Sequence, residues 1–352
     1  MKMITIAAQQ NIIRGARSTF RRTLLICMAL LIALLIIIVL ASVIGAERLP
    51  LGSSLCALFT GGSSSCGLTP EQNAILLSIR LPRILLAASV GASLATAGAG
   101  YQALLRNPLA EPYLLGISNG AAVGTMIALV FFGTSDASEW SRPIMAFAGA
   151  LASTFVVYRL ARGRTGASPE KLILAGVIVT TFLSSVIVFI TTMMDATRIR
   201  SFTFWLLGDL SGASSKLLTI GIVAAIIGAV VLALHARSLN LLMLGERDAF
   251  DLGVEVERVR LIVFVAASLL VAASVASSGS VGYVGLVVPH LVRLSTGSDN
   301  RTVIPAATLA GAIFVIVADT TARTVIAPRE LPVGAITALI GAPLFIYLLR
   351  RG

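Results

Sequence analysis

Charge is scarce in this sequence: Asp, Glu, Lys and Arg make up 12% of its 352 residues, about half the roughly 25% of a soluble domain. So few charges cannot coat a body of this size for water, and with 57% hydrophobic residues the chain reads as an integral membrane protein. Lysine is nearly missing, with three residues against 24 arginines, and none of the three (Lys2, Lys171, Lys216) follows a glycine. The Gly-x-x-x-x-Gly-Lys-Ser/Thr phosphate loop is therefore absent. The chain is expected not to be an enzyme, and any ATP-driven role places ATP and Mg on a separate subunit. Two histidines and three cysteines form no HExxH or CxxC pattern, which argues against a metal or other cofactor held by this chain.

What the sequence has instead is long apolar runs. The period-two signal of membrane barrels is missing, and backbone groups in hydrocarbon must pair internally, so an all-α polytopic bundle is expected. The runs fall at 24–44, 81–105, 113–132, 143–161, 170–194, 217–235, 259–278, 302–322 and 331–349, with a shorter one at 284–296. Leu24 to Ile44 exceeds the 7–15-residue apolar core of a signal peptide. Residues 1–22, with Lys2, Arg14, Arg17, Arg21 and Arg22, then form a cytoplasmic segment, and 23–352 a single transmembrane domain. Ten crossings put both termini in the cytoplasm, with 18 cations on that side and 9 outside. This bias follows the positive-inside rule, so the net charge of +11 reports topology in a lipid bilayer and not a nucleic-acid partner.

Polar interruptions mark candidate sites. In RLPR (80–83), Pro82 suits a first helical turn and Arg80 and Arg83 are spaced for one face. Two outer arginines run against the charge rule, so they either snorkel to lipid phosphate or dock an acidic partner. Arg323 groups with them by its outer position, four residues from Asp319. Asn107, Pro108 and Leu109, within LLRNPLAEP, end the second apolar run as a plain turn or as a constriction on a path. Residues 239–256 read as short amphipathic helices that offer a face to a partner or rest on lipid. Cys56 and Cys66 share the first external loop, where they are either bridged or two free thiols. His290 is a packed polar residue or a proton carrier. Gly91, Ala95, Gly98 and Gly116, Gly120, Gly124 form small faces for close helix packing. The stretches 80–100 and 257–279 echo each other, as an inverted repeat or through shared composition.

Together RLPR (80–83), GAGYQALLRNPLAEPYLLGISNGAAVG (98–124), WLLGDLSG (205–212), LGERDAFDLGV (244–254), GYVGLVVPHLVRL (282–294), VADTTAR (317–323) and ELPVGAITALIGAPLFIYLL (330–349) resemble the FecCD family. These are permease subunits of ABC importers for iron-siderophores, haem and vitamin B12. The resemblance implies the type II ABC importer architecture: a homodimer with its path at the interface, two ATP-binding subunits below and an extracytoplasmic substrate-binding protein above. It implies translocation of a metal chelate by alternating access across the inner membrane of a bacterium. Iron-siderophore leads on family frequency, with haem or cobalamin as alternatives; an ion-coupled secondary transporter is the other class. Leu244, Gly245, Glu246, Arg247, Asp248, Ala249, Phe250, Leu252 and Gly253 fall where the family has its coupling helices. Arg80, Arg83 and Arg323 match positions that meet acidic residues of the binding protein. Ser168-Pro169-Glu170-Lys171 departs from the family in being bulkier and more charged.

Overall fold

The computed structural model describes the backbone of residues 2–351 apart from 46, 48, 63–65, 134–137, 164–165 and 213, and side chains from residue 19 on, except 138–139, 348–349 and 351. Each of the ten apolar runs is helical. α1 (Lys2–Val43) crosses the expected boundary at residue 22 without a break. α2 (Leu51–Thr60) precedes α3 (Pro70–Ala74), which passes through a π-helical turn at Ile75–Arg80 into α4 (Leu81–Leu104). After α4 come α5 (Ile117–Phe132), α6 (Ser138–Ala161), α7 (Pro169–Thr191), α8 (Ala196–Leu206) and α9 (Ser215–Leu234). Then follow α10 (Ala236–Leu244), α11 (Glu246–Asp251), α12 (Val256–Ser278), α13 (Val284–Thr296), α14 (Asn300–Thr324) and α15 (Val333–Arg351). The strands among the described residues are Arg162–Gly163 and Gly166–Ala167, paired as a hairpin. Seven helices among the described residues are long and apolar enough to cross a membrane; α5, α13 and α15 are shorter apolar helices.

Pro82 lies in the first turn of α4, but the helical path starts further back. Thr69 caps the chain 13 residues earlier, its hydroxyl accepting from the Gln72 N–H while the Gln72 side chain accepts from the Thr69 N–H. The helix runs 35 residues from Pro70 to Leu104, about 52 Å at 1.5 Å per residue, so its first turns stand outside a core of roughly 30 Å. A proline inside a helix removes one N–H and clashes with the preceding turn. The π turn just before Pro82 is where the backbone absorbs that.

α4 is the centre of the bundle, packed against α9, α12, α13 and α14. Its glycines allow this: a Cβ on Gly91 would strike the Gly311 carbonyl of α14, and one on Gly98 the Gly285 backbone of α13. Gly98→Ala is expected to cost about 1–3 kcal/mol by overpacking, whereas Gly52→Ala, with open space around it, should leave the thermal midpoint in detergent unchanged. Equal midpoints for the two variants would count against this packing. The pairings also repeat. α4 packs on α14 and α13 as α12 packs on α6 and α5, and α5–α6–α7 contact one another as α13–α14–α15 do.

Candidate functional site

At the cation-rich end, α10, α11 and the start of α12 form a ridge. Gly245, with φ +147°, breaks the chain between α10 and α11. Ala249 and Val254 are buried as anchors, while Leu244, Phe250 and Leu252 are each more than 60% exposed. Arg247, Asp248 and Gly253 are exposed around them. Asn240 ties the ridge to α14: its amide donates to Asp299 (2.7 Å), and its oxygen accepts from the Asn300 N–H (2.8 Å). Burial alone would raise the Asp299 carboxyl, but hydrogen bonds from Arg301 and Asn240 hold it below its ordinary value.

Glu246 is turned inward. Its Oε1 meets Arg260 of α12 at 2.6 Å and Arg106 of the α4–α5 connection at 3.6 Å. The Arg260 side chain is 3% exposed and is also paired with Glu257. One carboxylate on the ridge therefore touches both the connection after α4 and the first turns of α12.

That connection folds back into the bundle. Arg106 takes a left-handed φ of 50°, and the Asn107 side chain accepts from the Leu109 N–H at 2.9 Å, which fixes the turn. Asn107 is half-buried, and Pro108 and Leu109 are exposed. Glu111 then accepts from the N–H of Tyr283, the residue before α13, at 3.1 Å. The Tyr113 hydroxyl donates to the Val281 carbonyl (2.9 Å) and accepts from the Val281 N–H (3.0 Å). Gln102 donates to the Leu286 carbonyl at 3.1 Å. Glu111, Tyr113 and Gln102 escape a reading by local pattern, because their partners lie more than 160 residues away. The one local signal is an acid and a tyrosine set in an apolar run. His290 packs edge-on against Phe345.

At the other end, Arg80 and Arg83 take different partners. Arg80 reaches back to the end of α1, donating to the carbonyls of Ser42 (3.0 Å) and Val43 (3.2 Å), groups that a helix C-terminus leaves without intrahelical partners, and to that of Glu47 in the segment beyond. Arg83 points to α14 and bonds Asp319 (2.9 Å) and Glu330 (2.7 Å). Arg323 pairs with the other Asp319 oxygen at 3.0 Å. All three arginines are less than 8% exposed. Glu330, unforeseen from the sequence, is half-exposed at the rim. Nearby, Cys56 and Cys66 are joined by a disulfide.

The model of the FecCD transport family matches residues 31–351. The chain is 42% identical over 289 residues, 81% of its length and 75% of the relative's, to the cobalamin import system permease protein BtuC of Halobacterium salinarum. It is 41% identical over 279 residues, 79% of its length and 83% of the relative's, to the hemin transport system permease protein HmuU of Yersinia pestis. To the vitamin B12 import system permease protein BtuC of Shigella sonnei it is 37% identical over 351 residues, 99% of both chains. Among solved structures, an inward-facing metal-chelate type ABC transporter superposes with a TM-score of 0.81 at 31% identity, covering 93% of this chain and 99% of that one.

Proposed function

Because this chain belongs to the FecCD transport family, as the permease subunit of an ABC importer for metal chelates and not itself an ATPase, we propose that it imports a metal tetrapyrrole, cobalamin or haem, by alternating access. The relatives' named cargoes support placing these ahead of an iron-siderophore, which leads from family frequency alone. The observation that carries the mechanism is the ridge: an apolar tip of Leu244, Phe250 and Leu252 for an ATPase surface, joined through Glu246 to Arg106 and Arg260.

In this reading the bundle crosses the cytoplasmic membrane of a bacterium ten times, α5, α13 and α15 included. Both termini and the ridge lie inside, and 23–352 is one permease domain. The mirrored packing of α4–α7 and α12–α15 favours an inverted repeat. Thr181, Ser184 and Ser185, exposed halfway along α7, make a polar stripe on an otherwise apolar helix that suits a homodimer interface holding the path. Two ATP-binding subunits sit under the two ridges, Asn107, Pro108 and Leu109 guard the inner mouth, and a substrate-binding protein docks at the outer end. There the partner's acidic groups compete with Glu330 for Arg83, with Arg80 and Arg323 adding positive field; such docking weakens as salt rises.

Proteoliposomes containing the permease, its cognate ATPase and binding protein test this, with cobalamin, haem and a ferric siderophore as separate arms. ATP-dependent uptake of a tetrapyrrole is expected. Uptake driven by an ion gradient without the ATPase would overturn the ABC reading, and uptake of the siderophore alone would overturn the cargo.

A further inference from the structure

Between α6 and α12, at the cation-rich end, lies a groove of about 680 Å³. Its walls are apolar, with Phe155, Leu261, Val265 and Leu269 each 40% or more exposed. Its mouth carries Arg159, Arg162 and Arg258. Arg159 sits in the last turn of α6, Arg162 just beyond in the hairpin, and Arg258 in the first turn of α12. Among the described residues neither Arg159 nor Arg162 has an ion pair. Arg258 meets Glu255 at 3.3 Å, but both side chains are at least 70% exposed, and such a pair is easily exchanged. The one carboxylate at the groove, Glu257, is already engaged by Arg260.

We propose that this groove binds an anionic phospholipid of the cytoplasmic leaflet. The two halves of the site match the two halves of such a molecule. Acyl chain lies along the aromatic and aliphatic walls, and the phosphate is held by the three arginines, as basic clusters between membrane helices on the cytoplasmic side do. A soluble phosphate has no use for the apolar walls. A second copy of this chain is a poor occupant, because a twofold contact would bring six arginines together. The charge complementarity thus selects lipid, and specifically acidic lipid over phosphatidylcholine.

Native mass spectrometry of the purified full-length chain, with phosphatidylglycerol and phosphatidylcholine as probes, tests the site without any transport partner. The wild type is expected to retain phosphatidylglycerol preferentially. Each of Arg159→Gln, Arg162→Gln and Arg258→Gln should lower that preference about fivefold. Val265→Trp, which fills the groove and keeps the arginines, should displace both lipids; Leu269→Phe serves if that variant does not fold. An unchanged preference in the triple arginine variant overturns the proposal. So does competition by inorganic phosphate at the concentrations at which the lipid binds, or efficient crosslinking of Phe155→Cys between two copies.

Discussion

Asp319→Ala is expected to destabilise the packing of α14 on α4 by about 3–5 kcal/mol, the cost of stranding buried charge. Asp319 is 1% exposed and gives one oxygen to Arg83 (2.9 Å) and the other to Arg323 (3.0 Å). Without it, Arg83 keeps Glu330, whereas Arg323 keeps, among the described residues, the Thr320 hydroxyl at 3.3 Å. Glu330→Ala removes a carboxylate whose side chain is 49% exposed, where water screens the pair, and should cost about 0–1 kcal/mol. Pairing Asp319→Leu with Arg323→Met removes both members of one bridge and leaves Arg83 on Glu330, so it should recover much of the loss. Thermal unfolding in detergent gives the ranking. If Asp319→Ala lowers the midpoint no more than Glu330→Ala, the triad of Arg83, Asp319 and Arg323 is not what holds α14 to α4.

The difference between these carboxylates also shows what local pattern conveys. The helices are legible because hydrocarbon forces every backbone group to pair within its own segment, so a run such as 259–278 has one solution. The Asp319–Arg323 bridge is legible too, being four residues apart on one helix. Arg83 with Glu330, and Glu246 with Arg106, join residues more than 100 positions apart, and nothing near either member announces the other. Pro82 marks the first turn of α4, as a proline near a polar boundary usually does, yet the helical path begins earlier, at the capping pair of Thr69 and Gln72, and reaches α4 through the π turn. Cargo is less legible still, because no motif in the chain has a side-chain pattern specific to one chelate. The tetrapyrrole reading leans on relatives for that reason.

Glu246→Gln should separate ATP hydrolysis from transport. Glu246 lies beside the exposed ridge tip, yet its carboxylate faces inward to Arg260 (2.6 Å) and Arg106 (3.6 Å). Arg260 belongs to α12, and Arg106 to the connection that continues through Glu111 to Tyr283, at the start of α13. A displacement of the ridge by an ATPase thus reaches two membrane helices through one charge. Neutralising it keeps the ridge surface, and Glu257 still pairs with Arg260, so folding and ATPase docking persist while the connection slackens. A lost coupling free energy of about 1–3 kcal/mol corresponds to roughly 5–150-fold, and a fall of about tenfold in cargo imported per ATP hydrolysed is the expected reading in reconstituted vesicles. Asp248→Asn is the control: Asp248 is exposed on the same short helix and has no ion pair among the described residues, so its ratio should stay near that of the wild type. Should hydrolysis and uptake fall together in Glu246→Gln, the residue acts in docking; should Asp248→Asn uncouple equally, the ridge works through its whole charged face and the inward carboxylate has no separate part in transmission.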